Sequence, residues 1–281
     1  MRNTSRNDGR IASRFRDLRA RREGALVAYL TGGDPDPKSF PTYAAALVEG
    51  GADILEVGIP FSDPIADGPV IQASSQRALS SGTTPARVLG LTRELSREHG
   101  IPIVVLTYYN PILAMGLEKF LKTAQQSGVN GIVVPDFPFE ESEYFGRLAQ
   151  KHGIDTIFLA APNTSKSRLA EIVRKSRGFL YLVSLFGVTG PRKMLSPLAL
   201  DSVKRVKSLA GERIPVAAGF GISRPDHVTA LLESGADGAI VGSALVEVVA
   251  EHLDDPDTVS SLLKRQVSEL KEATRRAPRV A

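Results

Sequence analysis

The sequence predicts an eight-stranded (β/α)8 barrel with an extra N-terminal helix. Three observations lead there. Eight apolar runs alternate with stretches of helical period along the 281 residues. The runs are nearly continuous in apolar residues, as strands covered on both faces of a parallel sheet are. Four of them are entered through one small unit, a Gly that closes a helix, a small or apolar residue, and then Asp or Asn: Gly51-Ala52-Asp53, Gly128-Val129-Asn130, Gly153-Ile154-Asp155 and Gly235-Ala236-Asp237. Gly adopts the left-handed conformation that stops a helix, so each unit reads as a helix end feeding a strand. An open doubly wound sheet would share the alternation. No GxGxxG follows the first run, which favours the barrel.

Residues 1–22 carry eight Arg against Asp8 and Asp17, whereas the rest of the chain is close to neutral with a net charge of −2. The overall +4 is therefore a property of the head and not a nucleic-acid footprint. Ile11, Phe15 and Leu18 recur at helical spacing within it, which predicts a basic helix packed on the body in preference to a plastid or other targeting segment. The strand runs then follow at 25–30, 53–58, 103–108, 131–135, 156–160, 179–184, 215–219 and 239–242. Helical period is plain at 39–48, 86–98, 117–126 and 168–176. No interdomain linker stands out, so residues 1–281 read as a single barrel domain with the basic, partly helical segment 1–22 at its head.

Zero Cys excludes disulfides, thiol nucleophiles and thiolate zinc sites. The four His are scattered without metal-ligand spacing, no metal is expected, and no Lys falls within a strand run to form a Schiff base. No apolar run reaches the length of a membrane span, so a soluble, cytoplasmic protein with no membrane partner is expected.

Chemistry in such a barrel sits on the loops after the strands. The second and third runs begin 50 residues apart and the sixth and seventh 36, so the loops after strands two and six are enlarged. Glu56 interrupts the second strand, where an acid is costly unless it is paired or functional. In an apolar pocket its raised pKa would let it give and take a proton near neutrality. Asp67 lies in Pro60-Phe61-Ser62-Asp63-Pro64-Ile65-Ala66-Asp67-Gly68-Pro69, a segment whose three Pro make a stiff, shaped loop. Both Asp63 and Asp67 precede turn formers, so a simple turn role stands beside a functional one. Glycine-bearing loops end the last three units: Gly187-Val188-Thr189-Gly190, Gly219-Phe220-Gly221-Ile222-Ser223 and Val241-Gly242-Ser243-Ala244. Backbone N–H groups there, with Ser243 capping a short helix, predict a cradle for a small phosphorylated ligand.

With these residues in place the chain resembles the tryptophan synthase alpha subunit family along nearly its whole length. The carrying motif is 56–69, Glu56-Val57-Gly58-Ile59-Pro60-Phe61-Ser62-Asp63-Pro64-Ile65-Ala66-Asp67-Gly68-Pro69, and Tyr29-Leu30-Thr31-Gly32-Gly33-Asp34-Pro35, Tyr108-Tyr109-Asn110-Pro111 and Val134-Pro135-Asp136 occur in family order. The resemblance implies a TIM barrel that cleaves indole-3-glycerol phosphate to indole and glyceraldehyde 3-phosphate. It implies that Glu56 moves protons at indole C3 and the glycerol hydroxyl, and that Asp67 faces the indole N–H. Tyr108, Tyr181, Thr189, Gly190, Phe220, Gly221, Gly242 and Ser243 match substrate-binding positions. No cofactor is implied for this chain, because pyridoxal phosphate belongs to the beta subunit with which the family forms an α2β2 synthase. A stand-alone indole-releasing lyase is the alternative, and a sugar-phosphate epimerase barrel a further one. Phe186 and Pro191 around the sixth loop, and Phe139, depart from the residues expected there.

Overall fold

A computed structural model describes residues 9–184 and 194–276. In chain order these form α1 (Arg10–Ala20), β1 (Ala25–Thr31), α2 (Phe40–Glu49), β2 (Ile54–Gly58), α3 (Pro69–Ser80), α4 (Pro85–His99), β3 (Ile103–Leu106), α5 (Tyr109–Met115), α6 (Leu117–Gln126) and β4 (Val129–Val133). A single 3₁₀ turn, Phe139–Glu141, leads into α7 (Ser142–Lys151), β5 (Asp155–Thr156), β6 (Leu159–Ala160), α8 (Lys166–Lys175), β7 (Leu180–Val183), α9 (Pro197–Ala210), β8 (Val216–Gly219), α10 (Pro225–Glu233), β9 (Gly238–Val241), α11 (Ser243–Glu251) and α12 (Pro256–Arg276).

All described strand pairs are parallel, in the order β5-β4-β3-β2-β1-β9-β8-β7-β6. The two outermost strands are halves of one segment separated by Ile157 and Phe158, so the sheet closes on itself as a TIM barrel. The fifth run therefore appears as two short strands. Its first half pairs only with β4 and its second only with β7, so the segment changes partner midway and neither ladder runs its length.

The recurrent Asp and Asn of the helix-to-strand units have a shared role. Asp53 accepts the Leu26 N–H at 2.8 Å, Asn130 the Ile103 N–H at 3.0 Å and Asp237 the Val216 N–H at 2.9 Å. Each satisfies a backbone donor at the base of the neighbouring strand. Asp53 is held in turn by the buried Lys271 of α12 at 2.9 Å, and Asp237 by Lys207 at 2.7 Å. Asp155 meets Arg177 at 3.5 Å instead.

Alternate residues point into the barrel. Ala25, Val27, Ile54, Val104, Val133, Ile157, Phe179, Ala217 and Ile240 form one buried cluster with Ile11, Phe15 and Leu18 of α1. The basic head helix thus closes the barrel's N-terminal end with its apolar stripe, as its spacing predicts. Gly131 makes room for it, since a Cβ there would lie 2.7 Å from Ile11 Cδ1. The opposite ends of the strands carry the polar residues. Among the described residues, no helix is long and apolar enough to cross a membrane.

Candidate active site

Inward parity along β2 runs Ile54, Glu56, Gly58, so the strand that buries Ile54 against the plug also points Glu56 into the barrel one layer higher. Its register partners are Tyr29 on β1 and Val104 on β3. Glu56 is 0% exposed. The Tyr181 hydroxyl donates to its Oε2 at 3.4 Å, and Oε1 has no hydrogen-bond partner among the described residues. Burial raises its pKa to about 8; the Tyr181 hydrogen bond opposes this and the negative charge of Asp67 adds to it. A buried acid without a cation is the arrangement that keeps a carboxyl group protonated near neutrality.

The 60–69 loop brings Asp67 to the same place. Its backbone is folded by the Asp67 N–H to Pro64 C=O bond of 3.0 Å and the Ile65 N–H to Asp63 C=O bond of 2.9 Å. The Tyr108 hydroxyl accepts the Ala66 N–H at 2.9 Å and holds the loop against the end of β3, where Phe61 stacks on the Tyr108 ring at 5.3 Å. Burial lifts the pKa of Asp67 to about 6 and the Tyr108 hydroxyl holds it back. The two acids of this loop separate clearly. Asp63 is exposed and takes a local bond from the Ser62 hydroxyl at 2.6 Å, a turn role. Asp67 is felt electrostatically by Glu56, Tyr29 and Tyr181.

Three polar residues beside the acids were not singled out from the sequence. The Tyr29 hydroxyl lies 3.2 Å from Thr31 Oγ1, which lies 2.6 Å from Ser74 Oγ on α3, and Ser74 donates to the Ile71 carbonyl at 2.8 Å. The available signal was strand parity, because Ala25, Val27, Tyr29 and Thr31 share the inward face of β1. Gly58 has its reason here too: a Cβ would come within 2.2 Å of the Tyr29 hydroxyl. Nearby, Arg77 of α3 forms a two-pronged pair with the buried Asp34 after β1, at 2.7 and 2.8 Å.

The glycine loops after β8 and β9 border the same space. Gly221 has φ of +70°, a conformation that L side chains rarely adopt, and Phe220 beside it is buried. Gly219 approaches the Tyr181 ring and Gly242 the Tyr29 ring, so that a Cβ at either would sit 3.6 and 3.4 Å from them. The expectation that Ser243 caps the following helix is corrected. Gly242 is the N-cap of α11, no side chain caps it, and Ser243 is the first helical residue. Lacking a side chain, Gly242 leaves the helix N-terminus open to an anion. Thr189 and Gly190 lie outside the described residues, as do Phe186 and Pro191. Among the described residues no group of three or more His, Asp or Glu is placed to hold a metal ion.

Residues 15–275 match the family model of the tryptophan synthase alpha chain. The chain belongs to the tryptophan synthase alpha chain family. The tryptophan synthase alpha chain of Methanoregula boonei is 48% identical over 265 residues, covering 94% of this chain and 98% of that one. Among solved structures, tryptophan synthase from Mycobacterium tuberculosis is 36% identical, with a TM-score of 0.87 over 96% of this chain and 99% of that one. A mutant tryptophan synthase alpha-subunit from Pyrococcus furiosus is 44% identical, with a TM-score of 0.81 over 88% and 98% of the two chains. The tryptophan synthase alpha chain is an indole-3-glycerol phosphate lyase, a carbon–carbon bond-cleaving enzyme of tryptophan biosynthesis. Phe139 is buried against Phe158 at 5.2 Å and lies beneath Arg168 and Lys175, 4.3 and 4.5 Å from its ring centre. It anchors the 3₁₀ turn before α7.

Proposed function

We propose that the buried Glu56 and the half-buried Asp67 divide the retro-aldol cleavage of indole-3-glycerol phosphate between them. The observation that carries the assignment is Glu56: wholly buried, one carboxylate oxygen unpartnered among the described residues, and a pKa near 8. Its proton goes to indole C3, turning the ring into an indolenine cation that can accept an electron pair. The resulting carboxylate then takes the proton of the glycerol hydroxyl next to the ring. As that oxygen becomes a carbonyl, the C–C bond breaks and its electrons return to the ring, giving indole and glyceraldehyde 3-phosphate with Glu56 protonated again. Asp67, ionised above about pH 6, accepts the indole N–H and stabilises the positive charge that builds on the ring nitrogen.

The remaining residues hold the substrate. Tyr181 orients the Glu56 carboxyl, Tyr108 fixes the Asp67 loop, and Phe220, Gly221, Gly242 and Ser243 receive the phosphate together with Thr189 and Gly190. The chain works as one barrel domain in the cytoplasm, docked through its catalytic face to a beta subunit in an α2β2 complex. Exposed Ile65 of the 60–69 loop and exposed Leu113 of α5 supply apolar contacts on that face. The deciding experiment is indole release by Glu56→Gln, measured with and without an added beta subunit. Activity within threefold of the parent would overturn the assignment of Glu56.

A further inference from the structure

A sheltered space rich in positive charge lies at the other end of the barrel. A cavity of about 540 Å³ opens beside the N-terminal ends of β5, β7 and β8, lined by Thr156, Gly178 and Pro215 from the segments that enter or form these strands. Five cations line it: Arg147 of α7, Arg174 and Lys175 of α8, Arg177 just beyond α8, and Arg213 before β8. Two acids line it as well. Glu143 is committed to Arg147 at 2.9 Å, and Asp155 faces Arg177 at 3.5 Å. Arg174 and Arg213 have no carboxylate partner among the described residues, and Arg213 donates to the main-chain carbonyl of Arg174 at 3.2 Å. Five cations against two acids leave the lining with a net charge of +3, which a bound anion offsets. The wall also contains Ser176, a buried hydroxyl with no hydrogen-bond partner among the described residues.

We infer that this cavity is a second binding site, for a small organic polyanion bearing at least two phosphate or carboxylate charges. The volume suits an occupant the size of a sugar phosphate or a tricarboxylic acid. Guanidinium groups at the mouth offer paired N–H donors, the geometry that selects planar carboxylates and phosphates. Bulk electrostatics do not account for the cluster, since the chain beyond residue 22 has a net charge of −2. The site is independent of the catalytic end, as α1 and the filled barrel interior lie between them.

Calorimetric titration of the full chain with citrate and with pyrophosphate at low ionic strength tests this. One site per chain is expected that survives Gly221→Asp, a change in the catalytic phosphate cradle, and weakens at least tenfold in Arg174→Ala/Arg213→Ala. Indole-releasing kcat/KM of the double variant, expected within twofold of the parent, shows that it is folded. Binding that Arg174→Ala/Arg213→Ala leaves intact, binding that Gly221→Asp abolishes, or no binding at millimolar anion would each overturn the proposal. Saturable binding of a duplex oligonucleotide without binding of either small anion would overturn it as well.

Discussion

Tyr181 and Glu56 meet from opposite sides of the barrel: four steps round the sheet separate β7 from β2, and the tyrosine hydroxyl lies 3.4 Å from Oε2. This contact is long and reaches only one oxygen of the carboxyl group. It steers the acid without pulling its proton away, and burial remains the dominant influence on it.

Glu56→Gln keeps the size and polarity of the side chain and removes the transferable proton. The turnover number for indole release should fall by roughly 10²–10⁴-fold, with affinity for glycerol phosphate unchanged. Steady-state kinetics and a binding titration on the same preparation check both halves.

The two acids require opposite protonation states. Asp67 must be ionised, so kcat/KM should rise as pH increases through about 6, and Glu56 must carry its proton, so the rate should fall through about 8. A bell-shaped profile between these values is the expected result. Its acid limb should vanish in Asp67→Asn, whose residual activity should be low and flat across that range.

Stability should carry the same signature. The folded pKa of Glu56 is raised above its unfolded value, so the protein is most stable below about pH 4.5 with respect to this group and loses stability as pH climbs towards 8. At pH 7 the buried acid costs on the order of 3 kcal/mol relative to a neutral group. Denaturant melts should find Glu56→Gln more stable than the parent at pH 8, with the difference shrinking towards pH 5.

Gly221→Asp and Ser243→Asp each put a carboxylate where the phosphate is proposed to lie. At about 4 Å, like charges repel by several kcal/mol at intermediate dielectric, so KM should rise at least tenfold in either variant. Equal binding of inorganic phosphate by parent and variants would place the phosphate elsewhere.

Arg77→Ala strands the buried Asp34 carboxylate, whose pKa burial already raises despite the guanidinium. Loss of about 3 kcal/mol of stability is expected, as for other broken buried pairs. Because α3 follows the Asp67 loop directly, KM should rise too. Arg77→Lys should recover stability in part but not the two-pronged geometry.

Much of this architecture was legible in the residues themselves. The apolar runs located every described strand but β6 to within two residues at its start, because burial on both faces leaves no room for polar alternation. What stayed hidden depended on contacts between distant segments. The 103–108 run stops at Leu106 because Tyr108 becomes the N-cap of α5, a short helix whose apolar period is too brief to announce itself. The split of the fifth strand depends on which neighbour each half meets. Glu56 stood out as an acid in a buried strand. Tyr29 did not, since a tyrosine suits a strand well and only its place opposite Glu56 gives its hydroxyl meaning. Asp63 and Asp67 could not be told apart by neighbours in sequence; the direction of the folded loop separates them.

The helix beneath the barrel has a consequence for traffic. Ile11, Phe15 and Leu18 stopper one end of a vessel whose interior is already filled with side chains. Among the described residues that end is shut to a small apolar product such as indole, which leaves by the neck at the C-terminal ends of the strands. Whatever sits over that neck receives the whole outflow, so a protein docked there needs no affinity for free indole in the surrounding water, only a seal.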